Sequence, residues 1–413
     1  MFELIKFFVL MIYLCGCCSI HWPGFSSAEK ADFFLDISKY MSKPYMWARS
    51  SFSRLYTPFT LGKFGQFDSI FAEIAYRNML FEVLLSVAPI TIAMGELAAL
   101  PRLLSYSLRG ESFHFVKGEH KDKKSNKRQF TLFNMNICFL PGELPLFFGG
   151  VAPAAERVSG IASLILNQNA DVVCLYEVHE VNSVYALYQK LKKDYAYFYL
   201  DIGPSFLEMN SGLFVASKYK IIDPQFKPFY YLGMQNEINK GYFSFKIVDE
   251  DQTIAKIYTT HLQPYREIVD EEIRKAELNE IIENIHLNYV KPISYPIVLC
   301  GDLNIPWGSE EYDSSGISQH FFDAYNEKST ANKAETSVVD PNNRTYSACL
   351  GGERWKTGDD PSISCSEIID YVLIFDKDPP SSIQTKKVEV VNNHDLNGSL
   401  SDHDGLFSII KTE

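Results

Sequence analysis

From residue 130 onward, the apolar positions switch repeatedly between a period near two and a period near 3.6, the signatures of strands and helices. Phe130 to Leu140 reads as a strand and Ala155 to Asn167 as an amphipathic helix. Asp171 to Tyr176 is a buried strand, Val184 to Leu191 a helix and Ser211 to Ser217 a strand. Gly241 to Val248 and Ile254 to Thr260 form a strand pair. Asp270 to Tyr289 is a helix with Ile273, Ala276, Ile281 and Ile285 towards one side. Ile297 to Cys300, Ile368 to Phe375 and Gly405 to Ile410 complete the strands. This alternation predicts an α/β sandwich of four layers, two mixed β-sheets packed face to face and flanked by helices.

The first third of the chain has a different pattern. Met1 to Ser19 carries Lys6, an apolar run from Phe7 to Leu14, then small residues. It fits a short secretory signal, a lipoprotein site with Cys17 as the lipidated residue, an uncleaved acylated segment with Cys15, Cys17 and Cys18, or a buried helix. Ile20 to Arg77 is aromatic and mixed, without a readable motif. Leu80 to Leu100 approaches the roughly 20 apolar residues needed to cross a bilayer. Glu82, Pro89 and Glu96 interrupt it, leaving a spanning helix, an interfacial or re-entrant hairpin and a core helix as alternatives. Lys117, Lys121, Lys123, Lys124, Lys127 and Arg128 follow. They form a solvated linker or hold anionic phospholipid, at about 1 kcal/mol per basic residue near a membrane surface. Residues 1–127 are therefore read as a membrane-associated, hydrophobic helical region and 128–413 as the catalytic domain. The expected localisation is membrane-associated, secreted or lipoprotein.

Composition narrows the class. A hydrophobic content of 46% over 413 residues excludes global disorder. A net charge of −12 argues against dedicated nucleic-acid binding, which calls for a strongly basic face. Cys138, Cys174 and Cys300 lie in strand-like runs as small hydrophobes. Only Cys349 and Cys365 lie in a loop-like region, which leaves room for at most one structural disulfide, and no CxxC metal framework occurs.

Chemistry gathers at strand ends. Val298-Leu-Cys-Gly-Asp302-Leu-Asn304 is an apolar run closing on an acid and an amide that share one side. Such a pair suits a hydrated divalent ion and a phosphate better than a core. Asn136 follows a strand, Glu177 closes Val172-Val-Cys-Leu-Tyr, and His261 ends Ile257-Tyr-Thr-Thr. Asp370 sits within an apolar run, and Asp402-His403-Asp404 precedes the last strand. Alone, each has a bland reading: a turn asparagine, a paired acid, a structural histidine.

In this order, the set resembles the endonuclease/exonuclease/phosphatase superfamily, with its DNase I-like fold and its divalent-metal phosphoester cleavage. A narrower similarity is to neutral sphingomyelinases, most of all the membrane-bound type. It rests on Asn136-Ile-Cys-Phe-Leu-Pro141, Glu156-Arg157, Leu175-Tyr-Glu177-Val and Asn210-Ser-Gly-Leu-Phe-Val-Ala-Ser-Lys218. It extends to Asn239-Lys240-Gly241, Thr260-His261-Leu-Gln263, Arg274-Lys-Ala-Glu277-Leu278 with Glu in place of Gln, Gly301-Asp302-Leu-Asn304, Ile369-Asp370-Tyr371 and Ser401-Asp402-His403. Two departures stand out. The interval Asp376 to Leu400 lacks the aromatic hairpin of the bacterial secreted enzymes, and Gln235 and Glu237 lie where the animal enzymes place a regulatory Asp.

The resemblance implies an Mg²⁺ cofactor, with Mn²⁺ as the substitute, and a membrane lipid substrate, sphingomyelin. Glu177 is expected to be the main metal ligand, with Asn136 supporting and Asp402 as a further ligand. His403 is expected to be the general base with Asp370 orienting it. Asp302 would align the nucleophile, His261 and Asn304 would donate to phosphate oxygens, and Lys240 and Asn239 are further phosphate contacts. A nuclease, an inositol-phosphate phosphatase and a membrane-anchored scaffold are the alternatives.

Overall fold

The computed structural model describes residues 26–56, 70–124, 129–140, 154–204, 210–230, 238–289, 295–323, 346–347, 366–376, 383–391, 394–395 and 398–412. The Met1–Ser19 segment, Lys127 and Arg128, Leu232, Gln235, Glu237, Cys349 and Cys365 lie outside these residues. So does most of the apolar stretch between Phe139 and Ala154. The chain divides into two compact units, one ending at Ser112 and one beginning at Phe113.

The first unit is an antiparallel helix pair, α1 (Ser27–Tyr56) and α2 (Ile70–Arg109). Ser26 and Glu29 form a reciprocal cap: Glu29 N–H donates to Ser26 Oγ at 3.2 Å, and Ser26 N–H to Glu29 Oε2 at 2.7 Å. This cap starts a helix in the stretch that carried no readable motif. Ser38 Oγ donates to Ala98 O at 2.7 Å, and Arg109 pairs with Asp32 at 2.9 Å. Gly95 admits the Tyr45 ring, since a Cβ there would sit 2.7 Å from it. The stretch Ile74–Arg109 is the one helix among the described residues long and apolar enough to cross a membrane, and 22% of its most apolar window is buried. Helix α2 as a whole leaves Phe71, Phe81, Leu85 and Ile90 exposed.

The second unit is the four-layer sandwich. Its strands are β1 (His114–Lys117), β2 (Gln129–Phe139), β3 (Val172–Val178), β4 (Tyr197–Leu200), β5 (Phe214–Ser217), β6 (Lys220–Pro228), β7 (Gly241–Asp249), β8 (Gln252–His261), β9 (Ile297–Asp302), β10 (Phe321–Asp323), β11 (Asp370–Phe375), β12 (Ile383–Val391) and β13 (Gly405–Thr412). One seven-stranded sheet runs β1-β4-β5-β3-β2-β13-β12, and one six-stranded sheet runs β10-β11-β9-β8-β7-β6. Both are mixed: β2 and β3 pair in parallel, as do β8 and β9, while their other neighbours are antiparallel. Two-residue pairs at Tyr346–Ser347 with Ser366–Glu367 and at His394–Asp395 with Gly398–Ser399 are accessory.

Three apolar layers hold this stack. Leu132, Cys174, Tyr176, Phe243, Ile257, Val298 and Val372 fill the space between the sheets. Helices α3 (Ala154–Gln168) and α4 (Val181–Leu191) cover the larger sheet through Val158, Ile161, Ile165, Val184 and Leu187. Helix α5 (Ile268–Asn288) covers the smaller one through Leu278, Ile281 and Ile285. The central strands are apolar on both faces because both faces are covered.

Candidate active site

The smaller sheet sets three polar residues in one row. In the parallel ladder of β8 and β9, His261 is the partner of Asp302, and in the antiparallel ladder of β9 and β11, Asp302 is the partner of Asp370. Cross-strand partners project to the same side, so an imidazole and two carboxylates lie next to one another at one edge of the sandwich. Asn136, from the larger sheet, bridges to them. Its Nδ2 donates to Glu177 Oε1 at 2.9 Å and to Asp302 Oδ2 at 3.0 Å, while its Oδ1 accepts the Cys138 N–H at 3.0 Å. Cys138, Glu177 and Asn304 hold φ of 51°, 56° and 54°. Left-handed backbone at a non-glycine residue costs on the order of 1–3 kcal/mol and is tolerated where the surroundings over-determine it.

The last motif is fastened to β2. Ser401 Oγ donates to Asn136 O at 2.7 Å and accepts the His403 N–H at 3.2 Å. The buried Arg157 guanidinium donates to Ile137 O at 2.7 Å, to Cys138 O at 2.5 Å and to Leu400 O. His403 is thereby held with Nδ1 2.8 Å from Asp370 Oδ2 and Nε2 3.6 Å from Asp302 Oδ2. His261 Nε2 lies 3.7 Å from Asp302 Oδ2 and 3.9 Å from Glu177 Oε1. Asn304 N–H donates to Asp302 Oδ1 at 3.1 Å and its Nδ2 to Leu262 O at 3.3 Å.

The electrostatics follow from this crowding. Burial pushes Glu177 up to about 7, and the charge of Asp402 adds to it against the opposing Asn136 hydrogen bond. Burial pulls His403 down, but Asp370, Asp302 and Asp402 outweigh it and set its pKa well above the usual imidazole value. His261 is driven well below that value by burial, then by Lys240, His179 and His403, so it is a neutral hydrogen-bonding group at pH 7.

Asn136, Glu177, His261, Asp302, Asn304, Asp370, Asp402 and His403 thus form one cluster. Lys240 and Asn239 are directed differently. Lys240 Nζ is buried behind the row and donates to His261 O at 3.3 Å and Leu262 O at 2.8 Å. Asn239 Nδ2 reaches Gly203 O at 3.4 Å. The sequence reading did not single out His179, which is buried against Gly212, where a Cβ would lie 2.6 Å from the imidazole. Its pKa falls to about 4 through burial and the nearby Lys240. Its one sequence signal is a polar residue placed directly after a strand that is apolar apart from Glu177.

The donor set fits a hard divalent cation. Glu177, Asp302 and Asp402 offer carboxylate oxygens, and the Glu177 pKa, raised first by burial and then by the charge of Asp402, marks an acid whose ionised form a cation would stabilise. Glu177, His261 and Asp302 place one ligand atom each within 4.8 Å of one another.

A mixed α/β sandwich whose strand ends pair a carboxylate-held histidine with a cation-ready acid cluster defines a metal-dependent phosphoesterase. Residues 133–403, well over half the sequence, match the Endonuclease/Exonuclease/phosphatase family, and the chain belongs to it. Among solved structures, SmcL is 20% identical with a TM-score of 0.52, covering 69% of this chain and 99% of its own. A beta toxin from Staphylococcus aureus is 21% identical with a TM-score of 0.51, covering 68% and 99%. Sphingomyelinase C from Streptomyces griseocarneus is 18% identical with a TM-score of 0.49, covering 68% and 98%. The first two of these likenesses establish the fold. No curated protein matches the sequence.

Proposed function

We propose that this chain is an Mg²⁺-dependent phosphodiesterase that hydrolyses sphingomyelin to ceramide and phosphocholine, with Mn²⁺ able to substitute. The observation that carries the reaction class is the 2.8 Å contact of His403 Nδ1 with Asp370, with Nε2 left facing Asp302. An imidazole held at one nitrogen by a carboxylate is a general base at the other once it is neutral. A cation bound beside Glu177 and Asp302 would offset the acids that otherwise keep His403 protonated at pH 7. His403 Nε2 takes the proton of the attacking water as the water oxygen bonds to phosphorus. The P–O bond to ceramide breaks, the departing alkoxide takes a proton from solvent water, and His403 returns the proton it accepted to solvent. Asp302 aligns the water. His261, neutral at pH 7, and the Asn304 amide donate to the phosphoryl oxygens. Glu177 and Asp402 hold the cation, and Asn136 keeps Glu177 and Asp302 in place. Bound there, Mg²⁺ would polarise a phosphate oxygen and steady the leaving group. Lys240 and Asn239 serve the backbone around the site rather than the phosphate.

The choice of sphingomyelin rests on sequence. Asn210 to Lys218, Asn239 to Gly241 and Thr260 to Gln263 resemble stretches of the neutral sphingomyelinases, and an apolar helix precedes the catalytic unit. Membrane association through α2 and anionic-lipid contact near Lys117 to Arg128 belong to the same reading. Lys123 takes no part in that contact, because it pairs with Asp171 at 2.5 Å. The test is to incubate the purified chain and Mg²⁺ with sphingomyelin, phosphatidylcholine, a lysolipid and plasmid DNA in parallel. Phosphocholine release from sphingomyelin is expected, and plasmid nicking without lipid turnover would overturn the assignment in favour of a nuclease.

A further inference from the structure

Behind the catalytic row lies a second layer of charge that the proposed chemistry does not use. Glu277 on α5 is fully buried, and its Oε2 accepts the Gln263 backbone N–H at 2.8 Å. Its other oxygen has no hydrogen-bond partner among the described residues. The Gln263 side chain donates to Asp270 Oδ1 at 2.9 Å, and Arg274 Nη1 donates to Gln263 O at 3.0 Å. Lys240 holds the two carbonyls immediately before, those of His261 and Leu262. The turn His261–Gln263 is therefore gripped by a buried cation on one side and a buried carboxylate on the other.

We infer that Glu277 is a positioning residue: through Gln263 and its charge on Lys240 it fixes the His261–Gln263 turn, and so His261, within the site. The inference rests on the reading of His261 as a phosphate donor. Glu277 touches no reacting atom. It acts by supplying an acceptor for one backbone N–H and the largest of the negative charges, ahead of Glu177 and Asp302, that offset the buried Lys240 ammonium. A glutamine could supply the first function but not the second.

The charged groups facing Glu277 are Lys240, from the segment before β7, and Arg274 and Glu280, on its own helix. Burial raises the carboxyl to about 7 against Lys240, the Gln263 N–H and Arg274, with Glu280 adding to the rise. Glu277 therefore changes charge close to neutrality. The ionised form grips the turn, so this layer adds a limb on which turnover increases as pH rises through about 7.

The test compares Glu277→Ala and Glu277→Gln in the full chain. Turnover is followed on sphingomyelin in mixed micelles with Mg²⁺, and the His261 imidazole ¹⁵N resonances are recorded without substrate. A displacement on the order of 1 Å costs up to about 100-fold, so E277A is expected to lower kcat by roughly 10- to 100-fold. KM should stay within about threefold, and the His261 resonances should move. E277Q, which keeps the acceptor for the Gln263 N–H but not the charge, should recover only part of kcat and flatten the limb near pH 7. A folded E277A with wild-type kcat and wild-type His261 resonances would overturn the inference, as would an E277Q pH profile superimposable on that of the wild type, in which Glu177 also titrates near 7. If E277A does not fold, the pH profile and resonances of E277Q decide. If the wild-type chain does not hydrolyse sphingomyelin, the substrate reading falls, and the His261 resonances still decide whether Glu277 positions the turn.

Discussion

Asp370→Asn isolates the orienting carboxylate. In the native site, Asp370 Oδ2 accepts from His403 Nδ1–H at 2.8 Å, which leaves the Nε2 lone pair towards Asp302. An asparagine of the same shape turns its NH₂ to Nδ1 and selects the tautomer with the proton on Nε2, which cannot accept one. General-base catalysis is worth about 10²–10⁴ in rate, or about 3–5 kcal/mol of barrier at 1.36 kcal/mol per decade. D370N should therefore lose at least about a hundredfold in kcat on sphingomyelin micelles with Mg²⁺, with little change in KM. Stability supplies an independent sign. The folded-state pKa of His403 is raised, chiefly by Asp370 and Asp302 against burial. The pairing thus adds stability in full below the unfolded pKa near 6.5, and this is lost as pH rises through the folded value. Urea unfolding should show D370N destabilised at pH 6, by up to about 3–5 kcal/mol for a broken buried pair, and progressively less as pH rises through the folded His403 value. Turnover within about threefold of wild type in a folded D370N protein would refute the base assignment.

His403→Ala should abolish nearly all turnover with an unchanged circular dichroism spectrum, and near-normal activity in that variant would remove His403 from the mechanism. Glu177→Gln should raise the Mg²⁺ concentration needed for half-maximal rate. With EDTA present it should also be more stable than wild type at pH 8 but not at pH 4. The reason is that the raised Glu177 pKa, about 7, makes its ionised form a cost to the fold that appears as pH rises from 4.5 through 7. That cost is at most about 3 kcal/mol, and equal stability at pH 8 would count against the acid cluster. Arg157→Leu leaves three buried carbonyls without their donor, so a melting-temperature drop matching about 3 kcal/mol or more is expected. Ile90→Lys on the exposed face of α2 should weaken vesicle flotation while leaving hydrolysis of micellar substrate within about twofold, and undiminished flotation would argue against α2 as the membrane element.

The catalytic row was legible because its residues violate the pattern around them. An acid closing a fully buried strand, as Glu177 and Asp302 do, has no reason to be there unless something pairs it. What the sequence could not supply is register: nothing in residues 257–261, 298–302 or 370–375 says that His261, Asp302 and Asp370 are cross-strand partners. Elements hidden from periodicity were hidden for physical reasons. Strand β6 is an edge strand that carries Pro224 and a bulge between Ile222 and Gln225, so it alternates imperfectly. Strand β12 is also an edge, charged at Lys386, Lys387 and Glu389, with a shift between Thr385 and Lys387. Helix α1 starts at a cap rather than at an apolar stripe. The charged layer behind the row was the least legible part, because its partners are backbone groups. Lys240 looked like a phosphate ligand by type, yet its ammonium is spent on two carbonyls brought to it by β8. A backbone carbonyl leaves no trace in the side-chain pattern. The groups that hold a catalytic residue in place are therefore found only once the strand carrying it has been laid beside its neighbours.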